Sequence, residues 1–281
     1  MVICFVVDWI RLRLLWLVLR FRKGKPRDTG IIILPGTEQS GMVVDVEGKK
    51  EDWVVSFPEP EPVLRSDLDL ADEYSYVQNQ LTQESCLAFA GCRAIEALYE
   101  VTGVKVPGKV SLSERDLFYS LRKKYGNFPK NQGVTMSILM DVMKNTGTCP
   151  ETLSPYVLSD INKDPDLFSK GFRLWKIGSY YRLLSYDDLV ESLKNKMPVI
   201  AGIFRNKSFN DFINHDAWYD KEEKVNKSVG HSILIIKISD IWGIRYVNSW
   251  GNNYKDNGLG WMSREYYEKL CYDARAVSLD G

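Results

Sequence analysis

Residues 79–91 read NQLTQESCLAFAG. The stretch sets Cys86 behind Ser85 and ahead of a helix-forming run, AFAGCRAIEALYE. A thiol at a helix start sits at the positive end of the aligned peptide dipoles, which favours the thiolate over the thiol. Upstream lies Gln80, whose side-chain amide can donate a hydrogen bond to a developing oxyanion. A helix-start cysteine preceded by an amide donor points to acyl-transfer chemistry. A cysteine beside Leu87 and Ala88 is equally the small hydrophobe of an ordinary core. The stretch alone leaves both readings open.

The rest of the chain narrows them. A length of 281 residues is enough for a full core, as one domain or as two lobes around a cleft. The 37 basic and 37 acidic side chains balance, which argues against nucleic acid or another strongly charged partner. Cys4, Cys86, Cys92, Cys149 and Cys271 are scattered and form no CxxC pair, so neither a zinc site nor a disulfide framework is indicated. No metal or organic cofactor is expected. Free thiols in a reducing compartment fit, cytoplasmic or membrane-associated rather than secreted, with a Cys149–Cys271 pair left open. Only His215 and His231 can supply the imidazole that a cysteine nucleophile uses as its base.

Three segments follow one another. Residues 1–23, MVICFVVDWIRLRLLWLVLRFRK, are apolar and end basic, but Asp8, Arg11, Arg13 and Arg20 interrupt any simple membrane span. A helix lying in a membrane surface, a docking helix and a cleaved leader all remain open for them. Residues 24–65 are an extended lead-in containing the stiff FPEPEP stretch and short β-like pieces, which would suit a pro-segment. Residues 66–281 are the folded domain. Its first half predicts helices over 84–102, from a Ser113 cap through ERDLFYSLRKKY, and over 135–145. Met136, Leu139, Met140 and Met143 read as core on the last of these. Its second half predicts a strand over FRLWKIGSYYRLL, a Ser185-capped helix, and strands at PVIAGIF, GHSILIIKIS and IWGIRYVNSW. WMSREYYEKL is a short helical or extended piece, and DARAVSL a last strand. The fold class is therefore α+β, with a site between the halves.

Of the two histidines, His215 lies in a polar loop, NDFINHDAW, whereas His231 opens an apolar strand after Gly230. Gly230 lets other groups approach the ring closely. If the two neighbouring strand runs pair as a hairpin, Asn248 of NSWG comes beside His231. Its amide oxygen can then accept the imidazole N–H and fix the tautomer. Trp250 would cover that bond and keep water from it.

Together these blocks resemble the papain-like cysteine peptidases, closest to their bacterial and viral branch. NQLTQESCLAFA is similar to that family's nucleophile block, GHSILIIK to its histidine strand, and YVNSWGNNYKDNGLGWMSREYYE to its Asn-Ser-Trp-Gly block. VSLSERDLFY and NTGTCPETLSPY are similar to the family's connecting helix and turn. The resemblance implies a two-lobed fold, a helical lobe and an antiparallel β-barrel-like lobe with the cleft between. It implies Cys86 as nucleophile, paired as thiolate with the His231 imidazolium, Asn248 as orienter, and Gln80 with the Cys86 N–H as oxyanion hole. Ser85 and Trp250 would be structural at the site, and Gly133 of KNQGVT, with Gly230, would meet the substrate backbone. The substrate is a polypeptide, hydrolysed through an acyl-enzyme. Leu81 and Glu84 stand where the family has glycine, and Leu87 where an aromatic or threonine is usual. They leave room for a weakly active or inactive binding module, and acyl transfer to amines is a third outcome of the same site.

Overall fold

The computed structural model describes residues 77–101, 111–166, 170–173, 175–211, 224–239 and 242–279, and the backbone of three short strands at 21–22, 53–55 and 216–217. The roles expected for residues 1–23 and 24–65 lie otherwise outside the described residues. The exceptions are β1 (Phe21–Arg22) and β2 (Trp53–Val55), which pair antiparallel. Phe21 and Arg22 are thus strand.

α1 (Cys86–Val101) is buried on nearly every side, from Cys86 through Leu98. Apart from a stripe carrying Arg93, Glu96 and Glu100 the helix is apolar, and so wide an apolar face belongs inside a core. At Gly91 an added Cβ would come within 2.9 Å of Leu139 and 3.0 Å of Leu117, so the two neighbouring helices press directly on its backbone. Those neighbours are α2 (Glu114–Tyr125) and α3 (Met136–Asn145). The Ser113 hydroxyl caps α2 by accepting from Asp116 N–H, and Gly126 ends it in the left-handed region at φ 86°. Thr135 caps α3, whose Met136, Leu139, Met140 and Met143 are all core.

The second half supplies β3 (Ser179–Arg182), α4 (Tyr186–Lys194), β4 (Val199–Arg205), α5 (Lys207–Asn210) and β5 (Asp216–Ala217). It continues with β6 (Asn226–Ser239), β7 (Gly243–Val247), β8 (Leu259–Met262), α6 (Arg264–Leu270) and β9 (Cys271–Ser278). Ser185 and Asp188 form a capping box at the start of α4. The strand expected over FRLWKIGSYYRLL shrinks to Ser179–Arg182, because its first half only bridges back to Thr148 through Trp175.

The strands form one sheet in the order β1-β2-β3-β9-β4-β6-β7-β8-β5. This corrects the barrel-like lobe. Two-residue strands end the sheet on either side, and among the described residues no ladder joins them, so it stays open. Side-chain alternation sorts the sheet into two cores. Leu234, Ile236 and Ile200 face the α1–α3 side, while Ile233, Ile235, Ala201 and Ile203 face α4 and α6. The start of α1 meets the start of the apolar part of β6, and the site forms there. Cys86, Cys92, Cys149 and Cys271 are free thiols, so the Cys149–Cys271 pair is not made.

Candidate active site

Cys86 opens α1 with its sulfur fully buried. The backbone N–H groups of Ser232 and Leu87 point at the sulfur and favour its anion, and so does the Arg205 guanidinium. Burial outweighs them, with help from the Glu84 carboxylate, and pushes the thiol up to about 12. His231, one residue before Ser232 on β6, is buried as well. Burial and the nearby Arg205 charge lower it to about 3, against the pull of its bond to Asn248. Burial thus works against the charged form of both groups, while the backbone N–H groups at the sulfur and the Asn248 bond at the imidazole work for it.

The β6–β7 hairpin is as the strand runs suggest, antiparallel with Leu234 opposite Val247. It carries Asn248 to His231, Nε2 to Oδ1 at 2.7 Å. The Ser249 N–H donates to the same Asn248 atom at 2.8 Å, which marks that atom as the amide oxygen. An amide oxygen only accepts, so Nε2 carries the proton and Nδ1 is left basic. Trp250 lies against the imidazole, centroids 4.8 Å apart, and Phe209 packs on both rings.

Gln80 is held from two sides. Its Oε1 accepts from the Ser249 hydroxyl at 2.6 Å, and its Nε2 donates to Gln83 O at 2.7 Å. One N–H of the amide is thus used, and the second is aimed by a fixed side chain. The Ser85 hydroxyl pairs with Tyr156 Oη at 2.8 Å, and Tyr156 donates on to Gln80 O at 3.0 Å. Gly230 is buried on β6 opposite Phe204, and Gly133 is buried in the loop before α3, its carbonyl accepting from Asn127. Asn131 in that loop bonds Glu84 N and Thr82 O, which ties the Gly133 loop to the segment before Cys86. Leu81 is exposed at φ 55°, so the residue where a glycine was usual takes a conformation that suits glycine. His215 lies outside the described residues.

Sequence reasoning missed Arg205, Tyr156, Ser249 and Asn131. Tyr156 and Ser249 sit in motifs already singled out, the Pro-Tyr turn and the Asn-Ser-Trp-Gly block. Nothing local in the sequence marks Arg205 or Asn131. Among the described residues no group of three or more His, Cys, Asp or Glu is placed to hold a metal ion.

The profile of the papain family cysteine proteases matches residues 65–279. The chain belongs to the papain family of cysteine proteases. Cathepsin S of Bos taurus is 29% identical over 185 residues, 64% of this papain-family chain and 54% of cathepsin S. The match thus spans about half the length of that relative. Among solved structures, xylellain, a cysteine protease of Xylella fastidiosa, superposes with TM-score 0.65 at 24% identity, over 72% of this chain and 82% of its own. Procathepsin B S9 of Trypanosoma congolense superposes with TM-score 0.63 at 15% identity, over 99% and 98%. At these identities the superpositions show the shared papain-like fold.

Proposed function

We propose that this papain-family chain hydrolyses peptide bonds in polypeptides with Cys86, His231, Asn248 and Gln80. One observation carries the reading: the imidazole is fixed by Asn248 through Nε2, with Cys86 lying against the next residue of the same strand. The Cys86 thiol proton passes to His231 Nδ1, and the thiolate of the resulting ion pair adds to the carbonyl carbon. The oxyanion is met by the Cys86 N–H and the second Gln80 N–H. His231 then gives that proton to the leaving amine, the C–N bond breaks, and an acyl-enzyme remains. Water, deprotonated by the same nitrogen, attacks the thioester; the C–S bond breaks, the carboxylic acid leaves, and the proton returns from His231 to the sulfur. A place in the bacterial and viral branch belongs to this reading, supported by the bacterial protein among the structural neighbours.

The test is turnover of unfolded casein and of quenched-fluorescent peptide pools by the full chain. Cys86→Ala is expected to abolish it, and Gln80→Ala to lower kcat about 10²- to 10³-fold. Turnover retained in Cys86→Ala would sink the assignment. Intact folding with no turnover by the wild type would favour the binding-module alternative.

A further inference from the structure

Beside the reaction centre stands a cation, Arg205, that makes no ion pair among the described residues. Arg205 ends β4 where its ladder to β6 breaks: Phe204 pairs with Gly230, but Arg205 pairs with Asn226. Such irregularities re-aim a side chain, often beside active sites. Here the guanidinium comes over the Trp250 ring, 5.7 Å from the centroid, and its charge is felt by both Cys86 and His231. Arg205 Nε is buried with no hydrogen-bond partner. Glu84 also feels the guanidinium, yet among the described residues no carboxylate forms an ion pair with Arg205. Leaving a buried donor unmet is costly, and a planar fork backed by an aromatic face suits a carboxylate.

The position says which part of a substrate would supply one. His231 Nδ1 hands its proton to the leaving amine, so the chain beyond the cleaved bond departs across the imidazole. Trp250 flanks that ring, and Arg205 lies over Trp250. We propose that Arg205 recognises a carboxylate on the leaving-group side of the site, one or two residues after the cleaved bond. An Asp or Glu side chain or a free C-terminus has the required chemistry. The proposal rests on the hydrolysis reading above.

The experiment compares kcat/KM of the full chain on peptide pairs at low salt. In a long amidated peptide, Glu is exchanged for Gln at the first or second position after the cleaved bond. In a second peptide ending two residues after that bond, the free acid is exchanged for the amide. At least one pair is expected to favour its carboxylate member by about tenfold or more. Which pair responds tells a side chain from a terminus. The ratio should collapse toward unity in Arg205→Gln and survive in part in Arg205→Lys. Ratios near one for every pair in the wild type would overturn the proposal, and so would a preference that Arg205→Gln leaves intact. If no peptide is cleaved, the hydrolysis reading fails by itself. Fluorescence anisotropy of the same peptides with the Cys86→Ala chain then decides: an Arg205-dependent preference for the carboxylate members supports the site, and equal binding overturns it.

Discussion

Two opposite charges flank Cys86 and pull its acidity in opposite directions. Arg205 favours the thiolate, and Glu84 disfavours it. Glu84 is itself raised to about 7 by burial, with Arg205 opposing the rise. Below pH 7 its carboxyl is mostly protonated and leaves the sulfur alone. Above pH 7 it ionises, repels a thiolate and offsets the Arg205 charge. Glu84→Gln should therefore speed alkylation of Cys86 by iodoacetamide mainly above pH 7, by a factor of a few and on the order of one pK unit at most. Rates measured from pH 5 to 9 check this. A wild-type to variant ratio that is flat across that range would mean Glu84 does not act on the sulfur through charge.

At the level of elements, what was legible in the sequence is what local chemistry writes. Ser113, Thr135 and Ser185 mark helix starts because a cap hydroxyl serves N–H groups two or three residues on. His231 and Asn248 were readable together because an antiparallel hairpin brings its two arms side by side. Arg205 was not, because its direction depends on a ladder break between β4 and β6, two strands far apart in the chain. The open sheet was missed for a like reason: closure depends on pairing between its first and last strands, which no single segment encodes. The desolvation that opposes the helix-start dipole at Cys86 was not legible, because it depends on how the two halves pack over the sulfur. Gly260, in the Gly-x-Gly-Trp segment, shows how an element supports the site. A Cβ there would lie 2.3 Å from Tyr246 Oη. Tyr246 pairs with Tyr254, and Tyr254 donates to the carbonyl of Phe209, which packs on His231 and Trp250. Gly260→Ala is expected to cost about 1–3 kcal/mol in urea unfolding by overpacking. It should also lower turnover through the displaced floor of the site. Unchanged stability would show that Tyr246 has room to move.

Over the whole molecule, buried ionisable groups set how stability responds to pH. Glu84 and Glu151 are raised to about 7, Glu96 is raised, and Glu114 is raised well above its ordinary value, each mainly by burial. Glu114 is fully buried, and neither of its carboxyl oxygens has a hydrogen-bond partner. Above pH 4.5 the unfolded chain releases these protons while the folded chain keeps them, so stability falls as pH rises from 4.5 through the raised values. His231 works the other way. Held neutral down to about 3, it costs stability wherever the unfolded imidazole is protonated, from 6.5 downward to that value. Four carboxyls oppose one imidazole between pH 4.5 and 6.5, and just above 6.5 the carboxyls act alone among these five. The chain should accordingly be most stable near pH 5 and lose stability steadily toward pH 7.5. Urea midpoints at constant m-value from pH 4 to 8 measure the profile. Glu114→Gln keeps the shape of the neutral acid and removes its titration, so it should raise stability at pH 7.5 and flatten the slope. A maximum at pH 7 or above, or a slope unchanged by Glu114→Gln, would mean that these carboxyls find water or counter-charges when ionised and do not govern the acid preference of the fold.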